Sequence, residues 1–372
     1  MTRVCILTSA HTPDDPRIVH KQARTLVEAG YDVCLIAHHT RRETIAGVQI
    51  IPIAPTTSRL AEALDLFRIH RTANEVDADI YHFHDPFLMP FAARLRDADT
   101  AVIYDCHEPY RNALQRYDFP PHVLNPLVDR YYTAAETHYA SQYDATVAVT
   151  DWMHARFIDS GYAAPHLVRN FPILGQVEAD AGRIDRPHAF MLVYVGGITE
   201  PRGIAQMLAA VDGARSAGLD AGLWLIGSPR DAATELIERH ADPSSVHRLG
   251  QLPYTDVFPY LAAADVGLAL LDPRMYDHAI PTKLFEYMAC GTPVIASDTT
   301  ANRTYMDASY GFVVPYTDTR ATVNAITVLA DDSDRRDQMG AAGRTAVEDH
   351  YSWEQERSRL LQLYDHVRDS IA

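Results

Sequence analysis

The chain is expected to fold as two doubly wound α/β domains, each on a parallel sheet, because three features of the sequence agree. Short apolar runs alternate with stretches of helical period along most of its length. The 372 residues exceed the length at which one hydrophobic core stops growing, so two domains of roughly 170–190 residues each are the prior. Between two such series lies 171–188, with two prolines, two glycines and no clear period, which reads as an interdomain linker.

The first series of strand-like runs is Arg3–Leu7, Asp32–Ala37, Val48–Ile53, Ile80–Phe83, Ala101–Tyr104 and Ala145–Val149, placing a first domain at 1–170. The helix after the first run is well punctuated: Asp15 suits an N-cap, Pro16 the first helical position and Gly30 the stop. The second series is Met191–Val195, Gly222–Ile226, Val246–Leu249, Val266–Leu271, Pro293–Ala296 and Gly311–Val314, placing a second domain at 189–352. Trp353, Leu360, Leu361, Tyr364, Val367 and Ile371 recur at helical spacing, so 353–372 is expected to be a closing helix that packs back on the first domain.

Composition excludes several classes. A formal charge of −16 disfavours unaided nucleic-acid binding, which is driven by Lys and Arg meeting phosphates. Hydrophobic residues at 47% and charged residues at 22% describe an ordinary globular protein. Cys5, Cys34, Cys106 and Cys290 lie far apart, with neither zinc-ligand nor disulfide-framework spacing, so a reducing cytoplasm is the expected location. No signal peptide and no transmembrane span are expected from the run of apolar residues.

Ligands of open α/β sheets bind at the carboxyl ends of strands, and two such sheets facing each other would enclose a cleft. The loop after the first run, Thr8–Asp15, contains no glycine, which disfavours a dinucleotide fingerprint there. After Met191–Val195 comes Gly196-Gly197-Ile198-Thr199-Glu200-Pro201-Arg202-Gly203 and then a helix. Backbone N–H groups, a helix start and a guanidinium together suit a diphosphate; a tight turn with a solvent-facing Arg202 would look the same. Farther on, Pro281 opens and Gly291 closes a helix carrying Lys283 and Glu286. Glu286 is either an acceptor for two ribose hydroxyls or an exposed helix carboxylate, and Lys283 either a cation for the diphosphate or a surface lysine. His82, His84, Asp85, His107 and Glu108 end two strands, where they would bind a metal, orient a substrate, move protons, or be satisfied within the core.

Taken in order along the chain, these residues resemble glycosyltransferase family 4. The most specific part is Lys283–Ala289 with Gly291-Thr292-Pro293-Val294-Ile295, supported by Asp14–Lys21, His82–Pro86, Val168-Arg169-Asn170, Gly196–Gly203 and Ser352-Trp353-Glu354. The resemblance implies the GT-B fold, two Rossmann-like domains, and transfer of sugar from a nucleotide-diphosphate donor, UDP- or GDP-linked, with retained anomeric configuration and no required cofactor or metal. The implied acceptor is a glycan, a lipid-linked molecule or a small molecule. Glu286 matches the second glutamate of the family's E-x7-E motif and would hold the ribose; Arg202 would hold the departing diphosphate; His107 would align the transferred sugar. Gly196, Gly197, Gly203, Lys283 and His278 complete the expected donor site.

The chain departs from the pattern twice: His278 stands where the motif's first glutamate is expected, and Gly197 where arginine is common. Competing readings are a nucleotide-sugar epimerase or hydrolase, a metal-dependent hydrolase on His82, His84, Asp85 and His107, and a catalytically silent partner subunit. The basic and aromatic stretch Tyr110–Tyr143 would suit peripheral contact with a membrane face, or a packed helix with a mixed outer side.

Overall fold

A computed structural model describes residues 1–54, 59–106, 125–177, 182, 184–230 and 232–371. They form two compact units, one of Met1–Asn170 with Glu354–Ala372 and one of Phe171–Trp353.

The first unit is built on β1 (Arg3–Leu7), β2 (Asp32–His38), β3 (Glu43–Ile45), β4 (Val48–Ile53), β5 (Ile80–Phe83), β6 (Ala101–Cys106), β7 (Ala145–Ala148) and β8 (Pro165–Leu167). Their order in the sheet is β3-β4-β2-β1-β5-β6-β7-β8. All neighbours are parallel except β3 and β4, an antiparallel hairpin. The hairpin turns on Ala46 and Gly47, both with positive φ (52° and 83°), the geometry that matches the twist of tightly connected strands. Strands β1, β5, β6 and β7 are buried almost throughout, as a sheet covered on both faces requires.

Asp15 caps the first helix as its sequence suggests, accepting from the N–H groups of Arg17 and Ile18 at 2.9 and 3.0 Å. Its first eight residues, Pro16–Ala23, are wound as a π-helix before Arg24–Glu28 continues as an α-helix. The wider turn brings residues i and i+5 into line, and Arg17 and Gln22 both reach the buried Asp105. Arg17 lies 2.7 Å and Gln22 Nε2 2.6 Å from Asp105 Oδ2, and Arg17 also donates to the Val168 carbonyl. Burial works to raise the Asp105 carboxyl; Arg17, with His82 and His84 beside it, outweighs that and holds it well below the usual carboxylate range.

The closing helix Trp353–Ile371 contributes Tyr364 to this core, where its hydroxyl meets His82 Nδ1 at 2.8 Å. Of the stretch Tyr110–Tyr143, positions 110–124 lie outside the described residues. Tyr143 is core, with its hydroxyl on the Met89 carbonyl at 2.8 Å, and Tyr132 packs edge-on against Phe87. Among the described residues no helix is long and apolar enough to cross a membrane.

The second unit carries β9 (Phe190–Val195), β10 (Ala221–Ile226), β11 (Val246–Gly250), β12 (Val266–Ala269), β13 (Val294–Ser297) and β14 (Gly311–Val314), all parallel, in the order β11-β10-β9-β12-β13-β14. Two apolar cores cover its faces. Phe171 belongs to one of them, set edge-on against Phe285 with centroids 4.7 Å apart.

Breaking a buried ion pair from one side leaves an uncompensated charge and costs about 3–5 kcal/mol. Arg17→Met should therefore lower the unfolding free energy of the first unit, measured by urea titration, by an amount in that range. A change below about 0.5 kcal/mol, the usual effect of a surface substitution, would show that the pair carries no such role.

Candidate functional site

Each sheet has a topological switch point, where successive connections leave in opposite directions and open a crevice at the carboxyl ends of two strands. In the second unit that point lies between β9 and β12. The segment leaving β9 is Gly196–Gly203. Gly196 has φ +123°, Glu200–Arg202 form a single 3-10 turn, and Gly203 has φ +80° as it enters the helix Ile204–Ser216.

Gly203 is required twice over, by its left-handed backbone and by space: a Cβ there would sit 1.9 Å from the Leu270 carbonyl oxygen just beyond β12. The Asp272 N–H donating to the Pro201 carbonyl at 2.9 Å fastens the same two segments together. Gly227 is equally close to Gly196, since its Cβ would fall 2.1 Å from the Gly196 oxygen.

Two cations point into this turn. A Cβ on Gly197 would meet an Arg202 terminal nitrogen at 3.3 Å, and one on Gly196 would meet Lys283 Nζ at 3.2 Å and the Arg202 nitrogen at 3.6 Å. Gly196, Gly197, Arg202 and Lys283 are thus brought together, with Gly203 anchoring the turn. Arg202 rests by Tyr276, Nε to Oη 3.4 Å, and Lys283 Nζ stands 4.0 Å from the centre of the Tyr194 ring. Among the described residues neither cation has a carboxylate within ion-pair distance, and Lys283 makes no hydrogen bond. Burial, then the neighbouring Arg202, push the Lys283 ammonium well below its ordinary pKa, with Glu286 offsetting part of the effect. Lys283 is only 7% exposed, so it is no surface lysine.

Glu286 follows one turn later on the helix Thr282–Ala289, half-buried, while Leu284, Phe285, Tyr287 and Met288 on other sides enter the core. His278 lies in the preceding loop, with Nε2 3.6 Å from the Asp277 carboxylate. Asp277 is committed to the helix Thr300–Tyr305, accepting from Thr300 N–H at 2.9 Å and Thr300 Oγ1 at 2.8 Å. His107 lies outside the described residues.

The first unit has its own switch point between β1 and β5. Asp85, ending β5, accepts from Thr8 Oγ1 at 2.7 Å and Ser9 N–H at 2.6 Å, closing the loop after β1. His11 bridges Asp15 at 2.9 Å and Asp85 at 3.8 Å. Burial works to raise the Asp15 carboxyl, and His11 with the Ile18 N–H outweighs that and holds it below the usual range. His82, His84 and Asp105 bring ligand atoms within 4.8 Å of one another, the spacing of a metal site. Asp105 Oδ2, which lies 3.6 and 3.9 Å from the rings of His82 and His84, already accepts from Arg17 and Gln22, so a guanidinium supplies positive charge beside the carboxylate. Asp85 is turned away to the loop backbone, and a metal centre on the expected set of His82, His84, Asp85 and His107 is not assembled by the described residues.

Sequence reasoning missed the two rings beside these cations, Tyr194 and Tyr276. Tyr194 is an alternate residue of a strand that reads as apolar throughout, so its polar end carries no signal in the sequence. Tyr276 sits in a four-residue helix, Pro273–Tyr276, too short for a periodic pattern.

Comparison with known proteins agrees with this geometry. The model described as Glycosyl transferase 4-like domain matches residues 16–170, and that described as Glycosyl transferases group 1 matches residues 189–332. The chain belongs to glycosyltransferase family 4. This glycosyltransferase is similar to a phosphatidyl-myo-inositol mannosyltransferase of Mycobacterium leprae, 27% identical over 94% of this chain and 89% of that one. A GDP-mannose-dependent monoacylated alpha-(1-6)-phosphatidylinositol monomannoside mannosyltransferase of Corynebacterium glutamicum is 33% identical over 44% of this chain and 43% of that one. In fold it is similar to sucrose-phosphate synthase from Thermosynechococcus elongatus, with TM-score 0.82 at 19% identity and full coverage of both chains. Anabaena HepE in complex with UDP-glucose gives TM-score 0.74 at 12% identity, over 98% of this chain and 100% of that one. The fold is GT-B, and the enzyme moves a sugar from a nucleotide-sugar donor to an acceptor.

A side chain at Gly203 would force both a strained φ and a displaced Leu270 carbonyl, at a cost of about 1–3 kcal/mol for the backbone alone. Gly203→Ala is expected to lower thermal stability and to weaken nucleotide binding together, measured by calorimetry in both modes. Unchanged nucleotide affinity would detach the turn from the donor site.

Proposed function

We propose that the enzyme transfers a hexose from a nucleoside-diphosphate sugar, with GDP-mannose the first donor to test, to a lipid-linked or glycan hydroxyl. The observation that carries the donor site is the pair Arg202 and Lys283, two cations converging on Gly196–Gly197 at the switch point without a carboxylate on either. Such a place is suited to an anion of more than one charge, and a diphosphate is the anion this family handles. The mannosyltransferase relatives, one of them described as GDP-mannose-dependent, favour GDP-mannose; the UDP-glucose complex of HepE keeps the UDP-sugars in the panel.

Breaking the bond between the anomeric carbon and the diphosphate leaves negative charge on the departing oxygen. Fixed cations and backbone N–H groups there stabilise the transition state more than the ground state, in which that charge is not yet developed. Arg202 has its guanidinium by the turn before the donor arrives, so little reorganisation is needed. On this reading the two side chains supply the positive charge at the diphosphate. Glu286 accepts from the ribose hydroxyls, His107 aligns the sugar, and retention of configuration follows the family. His278, in the place of a sugar-binding carboxylate, presents a ring nitrogen to the sugar hydroxyls instead.

Arg202→Ala should reduce kcat/KM for the correct donor by roughly 10²–10³, the loss of one preorganised charge stabiliser, and Glu286→Ala should mainly weaken donor binding. Both are checked by steady-state transfer from a panel of GDP- and UDP-sugars; near-normal turnover in both variants would sink the site. Rapid donor breakdown without any acceptor would favour the hydrolase or epimerase reading.

The depressed Lys283 gives a second, independent signature. A bound diphosphate raises its pKa back towards the ordinary lysine value, so between the free and bound values each binding event takes up a proton. Affinity for GDP or UDP should be full below the free value and fall as pH rises from there to the bound value. Calorimetry in buffers of different ionisation enthalpy should show uptake, lost in Lys283→Met; proton release, or uptake unchanged in that variant, would contradict the assignment.

A further inference from the structure

Tyr254 lies outside every motif that the donor site absorbs, yet it stands beside Glu286. It is the first residue of the helix Tyr254–Ala263, and its ring meets Phe258, one turn on, edge-on at 5.0 Å. Glu286 and Cys290 are likewise one turn apart on the helix Thr282–Ala289 and its C-cap. The Cys290 thiol reaches the Phe258 carbonyl at 3.8 Å. Thr292 Oγ1 donates to the Leu261 carbonyl at 2.6 Å, so contacts advance along both segments in the same direction and their first members are set side by side. The Tyr254 hydroxyl is buried without a hydrogen-bond partner, an unusual state for a phenol. Burial, and then the Glu286 carboxylate, push it well above its ordinary pKa, so it remains a donor at any working pH.

We propose that Tyr254 is a positioning residue for Glu286: its hydroxyl donates to the carboxylate when the donor nucleotide is bound and fixes which oxygen lone pairs face the ribose hydroxyls. The proposal rests on the reading of Glu286 as the ribose acceptor. A carboxylate on a flexible side chain can rotate away from a diol, and a second, buried hydrogen bond at its far edge removes that freedom. Tyr254 itself touches neither the sugar nor the reacting bond, so its influence belongs to nucleotide recognition and not to the chemical step.

The test is a set of calorimetric affinities for GDP or UDP, whichever binds tighter, and for its 2′-deoxy and 3′-deoxy counterparts. They are measured with the wild type, Tyr254→Phe, Glu286→Gln and the double variant. Tyr254→Phe keeps the ring and its packing on Phe258, and an unchanged unfolding midpoint verifies this. The expected result is a loss of roughly tenfold in affinity for the ribonucleotide, the scale of one hydrogen bond to a charged group, with affinity for the deoxynucleotides retained. In the Glu286→Gln background the same change should have little further effect. An equal loss for all three nucleotides, or no loss, would overturn the proposal while leaving Glu286 in place if Glu286→Gln alone abolishes the ribose preference. A Glu286→Gln protein that still prefers the ribonucleotide would remove the ribose reading and the positioning role with it.

Discussion

The turn after β9 is governed by a repulsion. An ammonium and a guanidinium are held towards the same pair of glycines, in a place where burial weakens the screening that water would give. Neither is neutralised by a carboxylate among the described residues. The Tyr194 ring under Lys283 offers partial relief through its quadrupole, and burial beside Arg202 lowers the pKa of the lysine. The surroundings follow from this demand: Gly196 and Gly197 leave the space open, Gly203 lets the chain pass over Leu270, and Gly227 lets β10 close on β9. On the proposed reading, a multiply charged anion answers this repulsion.

The first unit shows the opposite solution. Arg17 and Asp105 are also buried, but each answers the other, Gln22 donates to the same carboxylate, and Arg17 donates to the Val168 carbonyl. The two buried ionic clusters thus differ in whether an opposite charge stands beside the cation.

Much of this was legible in the sequence. Twelve apolar runs alternating with helical stretches marked every strand but β3 and β8, ten of them interior, where strands covered on both faces need continuous apolar residues. The two strands without a sequence signal, β3 and β8, are three-residue edge strands; one turns on an alanine in a left-handed conformation, and the other begins with proline. The π-helical winding of Pro16–Ala23 also left no trace, since it depends on what Arg17 and Gln22 reach. In the turn after β9 and on the helix Thr282–Ala289, the glycines, Arg202 and Glu286 could be named as candidates from the sequence. That Lys283 is buried could not, because its environment is built by Tyr194 and Gly196, ninety residues earlier or nearly so, and becomes visible only when β9 and the helix Thr282–Ala289 are brought together. The position of Asp277 was equally hidden: its commitment to Thr300 is a long-range capping contact.

The open space at Gly197 has a bearing on how such a site can drift. Arg202 already fills the room into which a side chain at 197 would grow, so the two positions compete for one location. An arginine introduced at 197 alone would meet a guanidinium already in residence, whereas the same change joined to a smaller residue at 202 would hand the charge from one backbone position to the other. Positions 197 and 202 thus form one heritable unit, in which the effect of either substitution has no fixed sign until the other is specified.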